Sequence, residues 1–501
     1  MVSSHRLVRN VCLVALLSAA DLGAAGGGQS GELIAAVRSG NHDAVQVLLH
    51  QAAVNAREAD GTTALHWAAR AGDVECVRLL LQAGADAKAA NRYGVTPLAL
   101  AALNGDAVTT GILLKAGADA NATASEGTTV LMTAARAGAT AVAKALLDHG
   151  ANANAREHRL GETALMWAAA ENHPEAIAML LAHGADADAR SDTTKFPRQV
   201  FGDGIVALFG RLPRGGWTPL MYAARQGALI AAATLADGGA DFDAVDPDGT
   251  TAMALAIDNA HFDVARMLLE KGADPNVADT TGTAALYAAV EIHRLGEAPG
   301  RPAPKPTGTV DGADLVKALL DYGADPNARL NAPVLYRHHS AGDGTLGEGA
   351  TPFLRAAKNA DLPLMRLLVE HGANPLLMTK NQTTSVMFAA GTAGGGLGAT
   401  IRVTVRERIE AIALCLDRGV DINAVNSNGQ SALHIAVQSS DDIVSFLAQH
   451  GARLDLKDKQ GRTPLDVALG AGGRGGPSVV RESTVALLRR LANGTEGDGG
   501  R

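Results

Sequence analysis

Residues 94–122 read GVTPLALAALNGDAVTTGILLKAGADANA, two short Ala/Leu-rich segments opened by TPL and closed by GAD. The same phrase stands 33 residues earlier as GTTALHWAARAG…RLLLQAGADAKA (61–89) and 33 residues later as GTTVLMTAARAG…ALLDHGANANA (127–155). A period of this length marks a stacked array in which each unit buries its apolar face against its neighbours. Composition agrees. Apolar residues make up 47% of the 501 but aromatics only 3%, which suits a thin Ala/Leu core between small helices rather than a large enzyme core.

Each recurring residue has a physical task. The Thr96 hydroxyl is placed to cap the first helix, and Pro97 occupies the first helical position, where no amide partner is needed. Ala101 and Ala102 allow close helix approach, and Gly117 takes the left-handed conformation that ends the second helix. Asp119 and Asn121 are expected to fold the following turn onto their own backbone.

The unit resembles the ankyrin repeat. The residues that carry the likeness are TPL at 96–98, 218–220 and 463–465, Thr63, Leu65 and His66 of TALH, the paired alanines, and the closing glycine from Gly84 and Gly117 through to Gly451. The resemblance implies an all-α solenoid of about twelve helix-turn-helix units over 29–492, with short finger turns or hairpins. Residues 29–60 are read as the N-terminal cap and 461–492 as the C-terminal cap, where Asp466 stands in the place of the inner repeats' histidine. The polar tail, 493–501, is expected to be disordered. Four interruptions break the rhythm, near 190–214, 293–310, 330–348 and 391–405. The Ala/Gly-heavy composition and the variant TALMWAA (163–169) resemble ankyrin proteins of bacteria.

Residues 1–25 read as a secretory leader: Arg6 and Arg9, an apolar run from Val11 to Ala20, then small residues, with cleavage expected near 20 or 25. The run is too short to span a bilayer, so the expectation is a periplasmic or secreted monomer without a membrane span. The net charge of −8 and the lack of a basic tract argue against nucleic acid as a partner. Cys76 and Cys415 fall in second helices eight repeats apart and are read as buried thiols, not a disulfide.

Catalytic or metal chemistry finds little support in the spacing. His338, His339 and Asp343 share one insertion but lack the further ligands that zinc needs. The glycines of 391–398 lack the Lys-Ser/Thr of a phosphate loop. His66 and His434 occupy the fourth position of the TPLH motif, which in the family makes a hydrogen bond between repeats; Met132, Met166, Met221 and Met387 replace it elsewhere. No cofactor, metal or catalytic residue is therefore assigned.

Binding features are richer. In the family the position after the paired alanines faces solvent on the concave side, and here it holds Arg70, Arg136, Arg225 and Lys358, a discontinuous basic stripe. Finger-tip positions hold Arg92, Tyr93, Arg159, Leu160 and Trp217, with residue types enriched at binding hot spots. The first insertion carries Phe196, Phe201 and Phe209, an apolar segment that either docks back or meets a partner. Trp67 and Trp167 are read as framework. The leading expectation is a non-enzymatic, exported protein-interaction scaffold. Alternatives are a secreted effector or protective inhibitor that binds a host or neighbouring protein, and an enzyme or metal-binding function housed in the insertions.

Overall fold

A computed structural model of the chain describes residues 29–193, 215–294, 305–332, 346–391, 403–470 and 480–495. The leader, the bodies of the four insertions with Phe196, Phe201, Phe209, His338, His339 and Asp343, and the tail beyond 495 lie outside the described residues. Those described form helices joined by turns. They contain no strand, only isolated bridges between Arg57 and Thr63 and between Thr123 and Thr129 at two finger bases. No described helix is long and apolar enough to cross a membrane.

The chain divides into two compact units, 1–158 and 159–501. The first holds four helix pairs: α1 (Gln29–Arg38) with α2 (His42–Leu49), α3 (Ala64–Ala71) with α4 (Val74–Gln82), α5 (Pro97–Leu103) with α6 (Ala107–Lys115), and α7 (Val130–Arg136) with α8 (Thr140–Asp148). Among the described residues, eight pairs follow in the second. They are α9 (Ala164–Ala170) with α10 (Pro174–Ala182), α11 (Pro219–Gln226) with α12 (Leu229–Asp237), α13 (Ala252–Asp258) with α14 (Phe262–Glu270), and α15 (Ala285–His293) with α16 (Gly312–Asp321). The remaining four are α17 (Pro352–Lys358) with α18 (Leu362–Glu370), α19 (Ser385–Ala390) with α20 (Val405–Asp417), α21 (Ala432–Ala436) with α22 (Asp441–Gln449), and α23 (Pro464–Ala468) with α24 (Glu482–Thr495). Within each unit, first helices pack on first helices and second on second.

Local chemistry sets these bounds. Thr96 Oγ1 accepts the Ala99 amide at 3.2 Å, with Pro97 behind it at the first helical position. His66 locks the start of α3. The Thr63 amide and hydroxyl both point at its Nδ1, at 3.2 and 2.8 Å, so the ring proton sits on Nε2 and is donated to the Val95 carbonyl of the next repeat at 3.0 Å. His434 repeats this between Ser431 and Arg462. Burial holds both imidazoles below their ordinary pKa.

Two kinds of glycine serve the stack. Gly84, at φ +88°, ends a second helix with open space where a Cβ would stand, so only its backbone conformation is in demand. Gly249, at φ +85°, lies at a finger, and a Cβ there would come 2.9 Å from the Asp279 backbone of the next finger. Fingers are stitched through that close approach, as where the Thr280 amide donates to Asp248 O at 2.9 Å.

Asn121 departs from the expected turn role. Asp119 does accept the Asn121 amide, but the Asn121 side chain reaches into the next repeat, donating to Gly150 O at 3.0 Å and accepting from the Asn152 amide at 2.8 Å. Asn327 clips the Gly372 carbonyl and the Asn374 amide in the same way. The glycine carbonyl freed by the helix end is the acceptor, which is why asparagine, with both donor and acceptor, suits the site.

The first and third insertions leave the register of the second unit intact because their ends meet. Ser191 and Gly216–Trp217 exchange three hydrogen bonds at 3.0–3.1 Å across the first, and Leu330 bonds Gly349 and Ala350 across the third. A loop pinched at its base costs only slowly more entropy as it lengthens.

Candidate interaction surface

In the first unit, the first-helix face carries a stacked group around Trp67. Its indole Nε1 donates to Glu58 Oε2 at 2.8 Å, while the guanidinium groups of Arg38 and Arg70 lie 4.5 and 5.3 Å from the ring centroid. Trp67 is half-buried, so its ring is fixed without being hidden. Arg136 sits half-buried at the end of α7. At the finger before α5, exposed Arg92 lies over the Tyr93 ring at 4.7 Å and donates to the Tyr93 hydroxyl, while its backbone amide is tied to Asp60 O.

A larger cluster forms in the second unit, at the foot of the first insertion. Glu162, 3% exposed, accepts the Trp167 indole at 2.7 Å through Oε2 and the Tyr222 hydroxyl at 2.9 Å through Oε1. Tyr222 meets Trp217 edge to face at 5.5 Å, and the Arg225 guanidinium stands 5.1 Å from the Trp217 ring. Asp246, which clamps its own finger through the Asp248 and Thr250 amides, also faces the Trp217 indole at 3.4 Å. Trp167, Trp217, Tyr222 and Arg225 are each half-buried, giving a pre-set aromatic and cationic patch. Arg159 is exposed at the start of this unit, and the next residue, Leu160, accepts the Asp192 amide at its carbonyl. Trp167 was read as framework alone; the geometry makes it framework through Nε1 and patch through its ring.

Lys358 corrects the expected stripe. It is only 6% exposed, and residues 351–360 are buried throughout. Alongside it, α15 runs nine residues where α9, α13 and α17 run seven. That extra length delivers His293 Nδ1 to Asp361 Oδ2 at 2.6 Å and Arg294 to both Asp361 (3.5 Å) and Glu407 on α20 (3.1 Å), a strap across the end of α17. Beneath it Arg355, 1% exposed, lies 3.7 Å from Glu291. The Asn359 amide is fully buried with neither atom hydrogen-bonded. Arg70 and Arg225 instead stack on tryptophans, so the four expected positions resolve into two ring-supported cations, the half-buried Arg136 and one enclosed lysine.

Glu58, Glu162, Tyr222 and Arg38 were missed from the sequence. Tyr222 follows a methionine at the TPLH position, as Trp167 does, and that shared register was the available signal. Its partner Glu162 lies 60 residues back across an insertion, where a 33-residue rule does not reach.

Comparison with known proteins matches ankyrin repeats (3 copies) at 33–124, 99–191, 205–279 and 402–482, ankyrin repeats (many copies) at 165–236, and a single ankyrin repeat at 348–380. Similar proteins include the transient receptor potential cation channel subfamily A member 1 homolog of Caenorhabditis elegans, 34% identical over 24% of this chain and 9% of that protein. The human member of that subfamily is 36% identical over 24% of this chain and 13% of its own. The nuclear factor NF-kappa-B p105 subunit of Gallus gallus is 32% identical over 32% of this chain and 14% of that protein. The match thus spans a small part of each relative's length. Among solved structures, the ankyrin repeat domain of human ASB11 is similar at 26% identity and TM-score 0.39, covering 48% of this chain and 96% of that one. With its repeat matches extending over more than half of its length, the chain belongs to the ankyrin repeat family.

Proposed function

We propose that this chain is an exported, non-enzymatic scaffold that binds a protein partner through the first-helix and finger faces of its repeats. The observation that carries the reading is the Trp217–Tyr222–Arg225 cluster held over the buried Glu162. Trp, Tyr and Arg dominate binding hot spots, and here their rotamers are fixed before any partner arrives, so little entropy is lost on association. The finger pair Arg92 and Tyr93, the Arg70–Trp67 stack, Arg136 and Arg159 extend the proposal as further contact positions. Phe201 and Phe209, in the insertion rooted at Ser191 and Gly216, are proposed contacts as well. Support for a non-catalytic role comes from the motif histidines, whose ring nitrogens are committed to caps and inter-repeat carbonyls. Export is proposed from residues 1–25 alone.

Two measurements test this. Intact mass of the protein recovered from its native host should show loss of the first 20 or 25 residues; an intact Met1 in a cytoplasmic fraction sinks the export claim. Immobilised wild-type protein should retain a saturable partner that Trp217→Ala/Arg225→Ala retains at least about 30-fold less tightly, the effect of losing about 2 kcal/mol at a hot spot. Equal retention by both would remove the cluster as the binding site.

A further inference from the structure

Where α2 meets α4, three side chains of different donor type converge. His42 Nε2 lies 2.8 Å from Asp73 Oδ2, and Cys76 Sγ joins them so that the three ligand atoms all fall within 4.8 Å of one another. We propose that His42, Asp73 and Cys76 bind a zinc-type divalent cation that ties the first helix pair to the second.

The donor set is one of imidazole, carboxylate and thiolate, the three that zinc takes. Bonds of 2.0–2.1 Å in tetrahedral geometry place nitrogen and oxygen ligands about 3.3 Å apart, so the ion enters when the His42–Asp73 contact opens by about 0.5 Å. The His42 side chain is 37% exposed and Asp73 17%, leaving room for that movement and a path for the ion. Cys76 is fully buried and supplies the inner ligand, and its thiol proton passes to solvent as the sulfur coordinates.

Each ligand is also oriented from behind. Ligating histidines usually direct their second ring nitrogen to a carboxylate, and His42 Nδ1 faces Glu75 Oε2 at 3.4 Å, while Nε2 is the atom turned to Asp73. Asp73 Oδ1 is pinned by the Cys76 amide at 3.0 Å, which turns Oδ2 toward His42. Helix capping accounts for Asp73, since Asp106 caps α6 through the Thr109 amide in the same way. It does not account for the other two. The register position of His42 is held by Val74, Ala107, Thr140 and Pro174 in the next repeats, and that of Cys76 by Ala44, Thr109, Val142 and Ala176. His42 and Cys76 coincide at this one junction among the described residues. With three protein ligands, the fourth position faces solvent and takes water.

Cobalt(II) is the probe, because a cobalt–thiolate bond gives a near-ultraviolet charge-transfer band that carboxylate and imidazole do not. Chelator-treated full chain should take up one equivalent of cobalt with that band, and added zinc should bleach it. Cys76→Ala should abolish the band; alanine stands at the equivalent position in Ala44 and Ala176, so the fold tolerates it. His42→Ala, at the surface, should weaken binding more than about 100-fold, and Glu75→Gln about 10-fold. Cys415→Ala should leave the band unchanged. Absence of a thiolate band at one equivalent, its persistence in Cys76→Ala, or unaltered affinity in His42→Ala would each overturn the assignment, leaving His42 and Asp73 as an ion pair between repeats.

Discussion

Replacing His66 and His434 with methionine, the residue used at the same position by Met132 and Met166, should destabilise the protein more at neutral pH than at mildly acidic pH. Each imidazole donates to a carbonyl of the following repeat, Val95 O or Arg462 O, and each of those oxygens already accepts a second bond, from the Asn91 or the Asp458 amide. Loss of the histidine therefore weakens a satisfied acceptor and orphans none, at about 1 kcal/mol per site. Methionine retains part of the cap, since Met132 Sδ accepts the Thr129 amide at 3.4 Å. The sites share no hydrogen-bond partner, so the double variant should lose about 2 kcal/mol at pH 7.5.

Burial keeps both rings below the ordinary imidazole pKa of about 6.5, and a proton on Nδ1 would face the Thr63 or Ser431 amide donor. The unfolded chain then binds more protons than the folded one below pH 6.5. Stability from these groups is whole above that value and falls as pH drops toward their folded pKa, by up to about 1.4 kcal/mol per pH unit per ring. The wild type therefore loses stability through the two rings as pH falls below 6.5, and the variant does not. Urea titrations followed by circular dichroism at pH 7.5 and 5.5 should show the gap between wild type and variant narrowing toward the lower pH. A gap that stays constant or widens toward pH 5.5 would show that the rings are not held neutral, and would refute the reasoning.

Other consequences are open to direct measurement. Gly84→Ala should cost about 1 kcal/mol, the strain of a left-handed alanine in open space, whereas Gly249→Ala should cost several-fold more because its Cβ meets backbone; equal losses in urea titrations would refute the distinction. Glu162→Ala should lower stability by about 2–4 kcal/mol through two lost hydrogen bonds to a charged acceptor, and should alter tryptophan emission as Trp167 is released; unchanged emission would argue against the clasp. In native protein, Lys358 should resist an amine acylating reagent that modifies Lys380, whose side chain is 68% exposed. Equal modification of the two lysines by mass spectrometry would contradict the buried position.

The fold was legible because stacking demands the same few residues at the same places in every unit. Thr96, Pro97, the paired alanines and Gly117 each answer a local backbone or packing requirement, and such requirements repeat with the period. What lies between repeats was less legible. Asn121 looks like a turn residue until the next repeat presents Gly150 O to it. Lys358 occupies a register position that the resemblance makes solvent-facing, and it is buried in the fold. His42 and Cys76 each look like an incidental substitution; their meaning depends on Asp73 standing between them, 31 residues from one and three from the other. The interaction cluster shares that character, since Glu162 and Tyr222 are neighbours only because the insertion between them is closed at Ser191 and Trp217.

The central claim, that a partner sits on the Trp217 cluster, is tested most directly by a photo-crosslinking amino acid placed at Arg225 in cells of the native host, with a second placed at Tyr322, a 54% exposed residue at the end of α16 on the second-helix side. One discrete protein adduct is expected from position 225, absent from position 322 and lost when Trp217→Ala is added. No adduct from position 225, or one that survives Trp217→Ala unchanged, would contradict that claim.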